Sequence, residues 1–259
     1  RCWQLPNYQD LVLRGILWSV GPEKAKLLAH LKLPKLSYYK PKVNIIPGKS
    51  WGLPNDRKVP HNLMQNPLPH TESIKLAQVP AGFELKVFAS EPDIINPIAI
   101  NWDEQGRMWA VEAYDYPNSH VMNKPGQDRI KILEDTDHDG KADKVSIFAS
   151  GLSICTSVLP YQDGCITTDG EQMIYLADTN GDGQSDKREV LFKGLKIWDT
   201  HACTSNLRWG FDGWVYATVG YSGFDISING KRHESGQAVF RFKPDGSDLE
   251  ILQGTTNNT

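Results

Sequence analysis

From residue 74 onward, apolar and β-branched residues occur in short runs that Gly, Asp and Asn interrupt. Runs of this length between turn residues are typical of β-strands. The runs are Phe83–Ala89, Met108–Glu112, Ile130–Leu133, Val145–Ala149, Met173–Leu176, Glu189–Phe192, Val215–Val219 and Val239–Phe242. A helical arrangement of apolar residues is confined to residues 10–33, where Pro22 opens a second short helix. The pattern therefore predicts an all-β fold with a short helical N-terminal segment.

Prolines separate these two regions. They recur from Pro34 to Pro69, and proline fixes φ and lacks a backbone N–H, which excludes regular helix and central strand. We therefore predict an extended linker over residues 47–73. Residues 1–46 would then precede it as one unit, and residues 74–259 would follow it as another.

Two acidic loops repeat along the second unit. The first acidic loop (Asp135–Asp143) and the second acidic loop (Asp178–Asp186) lie 43 residues apart and share a D-T-x-x-D-G pattern. A repeat of about 40–45 residues is the length of one four-stranded propeller blade. Residues 74–259 have room for about four such units, fewer than most closed rings contain. The repeat predicts a β-propeller that is incomplete in this chain.

The acidic loops are also candidate calcium sites, because Ca²⁺ prefers oxygen ligands and short loops place carboxylates at alternate positions. The predicted ligands are Asp135, Asp137, Asp139, Asp143, Asp178, Asn180, Asp182, Asp186 and Glu189. Glu189 stands at the twelfth position of the second loop, as in an EF-hand, whereas the first loop has Ser146 there. Strand-like runs flank both loops, which excludes a helix–loop–helix motif. The alternative is that these residues simply form tight turns through side-chain hydrogen bonds.

The charge distribution along the chain bears on which class of molecule the protein binds. The net charge is −3, but residues 1–75 hold 12 Lys and Arg against 4 Asp and Glu, so the remainder is acidic. An acidic, aromatic-rich body argues against nucleic acid as the main partner. No apolar stretch approaches the length of about 20 residues that spans a bilayer. The chain opens at Arg1 without an initiator methionine, so we interpret it as part of a longer polypeptide.

The four cysteines form no C-x-x-C pair and no haem attachment motif. Cys155 and Cys165 could form a disulfide, or both could be buried thiols. The sequence leaves both possibilities open.

A histidine segment spans residues 199–220. It contains Asp199, His201 and Arg208, followed by an apolar-G-x-D-G turn and a strand that ends in glycine. It resembles the histidine strand of soluble sugar dehydrogenases that use pyrroloquinoline quinone (PQQ). The resemblance implies that His201 is the base that takes the substrate's hydroxyl proton, with Asp199 orienting it. Histidine suits this task because imidazole ordinarily titrates near neutrality.

The same resemblance implies four residues that contact the cofactor. Arg208 follows the histidine, and Glu112 lies in a segment that resembles the first strand pair of the superfamily. Asn257 and Asn258 stand where those enzymes have an Arg-Asn pair near the quinone, although here no Arg precedes them.

A closer resemblance covers most of residues 75–259. Residues 80–85, 112–117 and 127–133, together with both acidic loops, resemble the propeller of membrane-bound dehydrogenases from planctomycete-type bacteria. This implies a six-bladed ring in the intact protein, PQQ and Ca²⁺ as cofactors, and a sugar or polyol substrate. It further implies a cytochrome c-type domain as electron acceptor and an extracytoplasmic location, periplasmic or at the cell surface. Residues 3–18 resemble the last helix of a ThuA-like (trehalose-utilisation) domain, which would make residues 1–46 its C-terminal tail.

Two main hypotheses about function follow. In the first, the propeller catalyses quinone-dependent oxidation of a sugar or polyol. In the second, a non-catalytic, calcium-stabilised propeller binds glycans or partners within a multidomain surface protein. A hydrolase at the front end ranks last, because residues 1–46 offer no paired carboxylates and no nucleophile with an adjacent base.

Overall fold

The structure is a computed structural model that describes Lys26 and residues 68–80, 82–120 and 124–254. The chain divides into two units, Arg1–Leu85 and Lys86–Thr259. In the first unit, helix α1 (His70–Ser73) and a 3₁₀ turn (Ile74–Leu76) lie at the end of the predicted linker. Apart from Lys26, which is helical, the predicted helices and the ThuA-like tail lie outside the described residues. Across the described ranges, no helix is both long and apolar enough to cross a bilayer.

The second unit consists of antiparallel sheets, so the prediction of an all-β fold is confirmed. Sheet 1 contains, in spatial order, β1 (Pro97–Trp102), β2 (Met108–Glu112), β3 (Asp128–Glu134) and β4 (Lys144–Leu152). Sheet 2 contains β5 (Val158–Tyr161), β6 (Gly164–Asp169), β7 (Gln172–Ala177) and β8 (Lys187–Lys193). Sheet 3 contains β9 (Thr204–Trp209), β10 (Val215–Val219), β13 (Ala238–Phe242) and β14 (Leu249–Gln253). A separate hairpin, β11 (Phe224–Ile228) with β12 (Lys231–Ser235), is inserted between β10 and β13.

The sheets pack face to face through large apolar side chains. On the side of sheet 1 that packs against sheet 2, Trp109 of β2 meets Phe148 of β4 edge-on at 4.7 Å, in a cluster that also contains residues of β5, β6 and β7. Between sheets 2 and 3, Phe192 meets Phe242 edge-on at 5.1 Å. Each such side chain contributes about 1.5–3 kcal/mol when it is fully buried. These two apolar clusters hold neighbouring sheets of short strands together.

Seven of the eight predicted runs fall within strands, and one does not. Phe83–Ala89 forms no strand, although its composition is strand-like. The repeated acidic loops have equivalent places: the first connects β3 to β4, and the second connects β7 to β8.

The cysteine question is resolved in favour of buried thiols. Cys155 and Cys165 are both fully buried and form no disulfide. The Cys155 thiol lies 3.0 Å from the hydroxyl of Thr167, and burial raises the pKa of Cys155 to about 12. A thiol that holds its proton so firmly is a poor nucleophile.

Candidate functional site

The two predicted catalytic residues come together in one turn. Asp199 precedes a 3₁₀ turn (Thr200–Ala202), and its Oδ1 accepts a hydrogen bond of 2.9 Å from the backbone N–H of His201. The same oxygen lies 2.9 Å from Nδ1 of the His201 ring. A carboxylate at Nδ1 favours the tautomer that carries its proton there, which leaves Nε2 as an acceptor.

A third residue, Tyr221, completes this arrangement. Its hydroxyl donates to the other oxygen of Asp199 over 2.7 Å. This hydrogen bond, followed by those from His201, holds the pKa of Asp199 below its usual value. The Asp199 carboxylate therefore stays ionised and is held at both oxygens, while the His201 side chain is 59% exposed.

His201 lies on a cleft of about 630 Å³ between the first strands of the sheets. Arg208 of β9 lines the same cleft, so the structure brings two of the predicted site residues together. Tyr116 lies there too, with its ring edge-on to the His201 ring at 5.4 Å. The remaining lining is mixed, with Ile98, Ile100 and Asn206 among its members.

A second cleft of about 460 Å³ also reaches His201 and Asp199. Its most prominent member is Trp198, whose side chain is 69% exposed. The indole N–H donates to the carbonyl of Ser222 over 3.0 Å, and the ring rests 5.7 Å from that of Tyr221. A large aromatic surface is thus held in solvent beside the histidine. Sequence reasoning did not single out Trp198 or Tyr221.

Glu112 lies elsewhere. It is fully buried, and its carboxylate lies 2.9 Å from the ammonium of Lys131 and 3.0 Å from the guanidinium of Arg129. It also accepts a 2.7 Å hydrogen bond from the backbone N–H of Ile95. These partners occupy the carboxylate in a buried ion-pair cluster, and Glu112 does not line either cleft. Asn257 and Asn258 lie outside the described residues.

The two acidic loops share one hydrogen-bonding pattern. In the first, Asp135 accepts from the backbone N–H of Gly140 over 2.9 Å, and in the second Asp178 accepts from that of Gly183 over 2.8 Å. Asp143 and Asp186 each bind the threonine that follows the first aspartate of their loop. Backbone N–H donation to Asp178, with that from Gly183 the strongest, lowers its pKa.

The first loop gathers carboxylates more closely. Oxygens of Asp135, Asp137 and Asp143 all lie within 4.8 Å of one another. Ligand oxygens about 2.3–2.6 Å from one Ca²⁺ are separated by distances of this size, so the loop fits the ion.

In the second loop, Asn180 and Asp182 occupy the positions of Asp137 and Asp139 and make matching backbone contacts. Glu189, the predicted twelfth-position ligand, instead lies on β8, exposed, with its carboxylate 3.1 Å from the ammonium of Lys187.

A family model described as a domain of unknown function, DUF7133, matches residues 69–259. The chain belongs to this family. No curated protein matches it. Among solved structures, a luciferin-regenerating enzyme is similar to the DUF7133 chain, with 10% sequence identity and a TM-score of 0.37. That similarity covers 61% of this chain and 56% of the enzyme, so the chain spans little more than half of the enzyme's length. It carries no argument about the activity of the DUF7133 domain.

Proposed function

We propose that sheets 1 to 3 are successive blades of a β-propeller. Each is a four-stranded antiparallel meander apart from the hairpin inserted in sheet 3, and their first strands β1, β5 and β9 contact one another in turn. The side-chain amide of Asn101 in β1 donates to the carbonyl of Val158 in β5 over 3.2 Å. Leu207 in β9 donates its backbone N–H to Ser157, next to β5, over 3.0 Å. First strands grouped around a common centre are the arrangement of propeller blades.

We further propose that the domain oxidises a sugar or polyol alcohol with a quinone cofactor. The observation that carries this is the hydrogen-bonded series Tyr221–Asp199–His201 at the junction of two clefts. Nε2 of His201 would take the hydroxyl proton of the substrate, and Asp199 would hold the opposite ring nitrogen and stabilise the imidazolium that forms. Tyr221 fixes the carboxylate, so the base is oriented before the substrate arrives.

The larger cleft fits a planar, acidic cofactor. Its volume of about 630 Å³ suits a ligand of this size. Arg208 supplies a guanidinium for one carboxylate, and the ring of Tyr116 with the side chain of Ile98 supplies apolar surface. When bound, the quinone would supply the hydride acceptor. Calcium in the first acidic loop would stabilise the turn between β3 and β4.

Two further parts of the proposal rest on family resemblance. A cytochrome c-type domain would receive the electrons, and the protein would act outside the cytoplasm, in the periplasm or at the cell surface.

A PQQ titration followed by visible absorbance, with calcium present, tests the proposal. We expect saturable binding with a shifted quinone band, and about tenfold or greater weakening in Arg208→Ala, which corresponds to about 1.4 kcal/mol. Arg188→Ala is the matched control, because Arg188 pairs with Asp169 outside this cleft and its loss should leave the affinity unchanged. A folded, calcium-loaded protein that binds no PQQ would contradict the proposal.

One observation favours the second candidate, a non-catalytic glycan-binding domain. The exposed, firmly held indole of Trp198 could bind a sugar ring without any redox chemistry. Calorimetric titration with oligosaccharides in the absence of PQQ separates the two. Binding that Trp198→Ala abolishes, in a protein that takes up no PQQ, would favour this candidate.

A further inference from the structure

The segment Lys86–Ala89 repeats part of an outer strand. Phe88-Ala89-Ser90 has the same residues, in the same order, as Phe148-Ala-Ser150 in β4, the outermost strand of sheet 1. Yet β4 is paired along its length, whereas Lys86–Ala89 forms no strand.

The two phenylalanines also make the same contact. The carbonyl of Phe88 accepts a 2.8 Å hydrogen bond from the backbone N–H of Ala142, and that of Phe148 accepts one of 2.7 Å from Ser185. Ala142 and Ser185 hold the same position in the first and second acidic loops. Lys86–Ala89 therefore contacts sheet 1 in the way that β4 contacts sheet 2.

Sheet 3 comes close to sheet 2 at the corresponding place. The turn between β13 and β14 contains Gly246, and a Cβ added there would lie 2.7 Å from the carbonyl of Leu191 in β8. Each described turn between the third and fourth strands of a sheet thus packs against an outer strand of the sheet before it. For sheet 1, Lys86–Ala89 takes that place.

The register of the outer strands shows which backbone groups face inward. In β4, Ile147 pairs with Lys131 and Ala149 pairs with Ile130, while the register skips Phe148. In β8 the register skips Leu191 in the same way. In both strands the carbonyl of the skipped residue faces the next sheet, and its two neighbours pair with the third strand of their own sheet.

In Lys86–Ala89, Phe88 corresponds to the residue that the register skips in β4 and β8. Val87 and Ala89 correspond to the residues on either side of that skipped residue. Phe88 is half-buried, whereas Phe148 is 3% exposed beneath the ring of Trp109. Lys86–Ala89 contacts the following sheet, but no described residue gives it the partner strand and the apolar cover that β4 receives from its own sheet.

We infer that Lys86–Ala89 is the outer strand of a further four-stranded sheet and receives an antiparallel strand of the same polypeptide along Val87 and Ala89. The described outer strands β4, β8 and β14 each pair antiparallel with a strand of their own chain, which favours the same polypeptide as the source. A ring closed in this way joins an early segment to a late sheet, which leaves no open edge at that position. The inference rests on the propeller proposed above and not on the oxidation chemistry.

Hydrogen exchange of the full-length polypeptide, resolved to single amides, tests this. We expect the amides of Val87 and Ala89 to exchange at least about 100-fold more slowly than unstructured amides, as those of Ile147 and Ala149 should. The protection should not change when the sample is diluted tenfold. Fast exchange at Val87 and Ala89 beside slow exchange in β4 would overturn the inference.

Protection that disappears on dilution would overturn it too, because the strand would then come from a second copy. Neither result bears on PQQ binding, so the inference and the proposed oxidation can fail separately.

Discussion

Replacement of Glu112 by alanine tests whether this carboxylate stabilises the fold or serves the site. The substitution removes the partner of Lys131, whose side chain is only 9% exposed, and of Arg129, which is 29% exposed. Removal of one member of a buried ion pair costs about 3–5 kcal/mol, because the remaining charge stays buried without compensation. For a unit of this size, such a loss lowers the melting temperature by about 10 °C.

The matched control is Glu134→Ala. Glu134 ends β3 and pairs at 2.7 Å with Lys144, whose side chain is 62% exposed. Exposed pairs contribute about 0–1 kcal/mol, so this variant should melt within a few degrees of the parent protein. Thermal unfolding followed by circular dichroism measures both variants. A Glu112→Ala protein that loses no more stability than Glu134→Ala would refute the reasoning.

Three other predictions follow from the site and the sheets. Tyr221→Phe removes the hydrogen bond that does most to lower the pKa of Asp199, so this pKa should rise toward its usual value in an NMR titration of the carboxyl group; an unchanged pKa would contradict the assignment. Asp137→Ala removes one of the three clustered carboxylates and should weaken calorimetric Ca²⁺ binding about tenfold or more, whereas Lys141→Ala in the same loop should not weaken it. Gly164→Ala would drive a Cβ into a carbonyl of the neighbouring strand β7 and should cost at least about 2 kcal/mol in urea unfolding; full stability would show that β6 and β7 can separate there.

Apolar runs predicted seven of the described strands, whereas strands that contain proline or several polar residues were missed. The second strands β2 and β10 have the predicted bounds, because their residues are largely apolar and buried between sheets. Among the first strands, β1 and β5 contain proline, which weakens an apolar run as a strand signal, and β9 contains several polar residues. The β11–β12 hairpin did carry a usable signal: Asn229 and Gly230 both have positive φ in its turn, and Asn-Gly is the preferred pair for such turns.

The candidate site also contains residues that local sequence could pair and residues that only the fold brings together. Asp199 and His201 are two residues apart, so local sequence could pair them, and the structure does so. Tyr221 reaches Asp199 only because β9 and β10 return the chain to the same end of sheet 3. Glu112 was a candidate site residue because its segment resembles the first strand pair of the PQQ dehydrogenase superfamily. Glu112 can be buried because the register of β2 with β3 places Arg129 and Lys131 beside its carboxylate. Composition does not reveal that register.

The central claim is that His201 removes the proton from a sugar or polyol hydroxyl in a quinone-loaded cleft. The most direct measurement is single-turnover reduction of the PQQ-loaded protein by a panel of sugars and polyols, followed by absorbance, in the parent protein and in His201→Ala. We expect rapid reduction by at least one substrate, and a rate lower by about 10²–10⁴ in His201→Ala with PQQ affinity and melting temperature unchanged. Reduction at the parental rate in a folded, PQQ-loaded His201→Ala protein would contradict the claim.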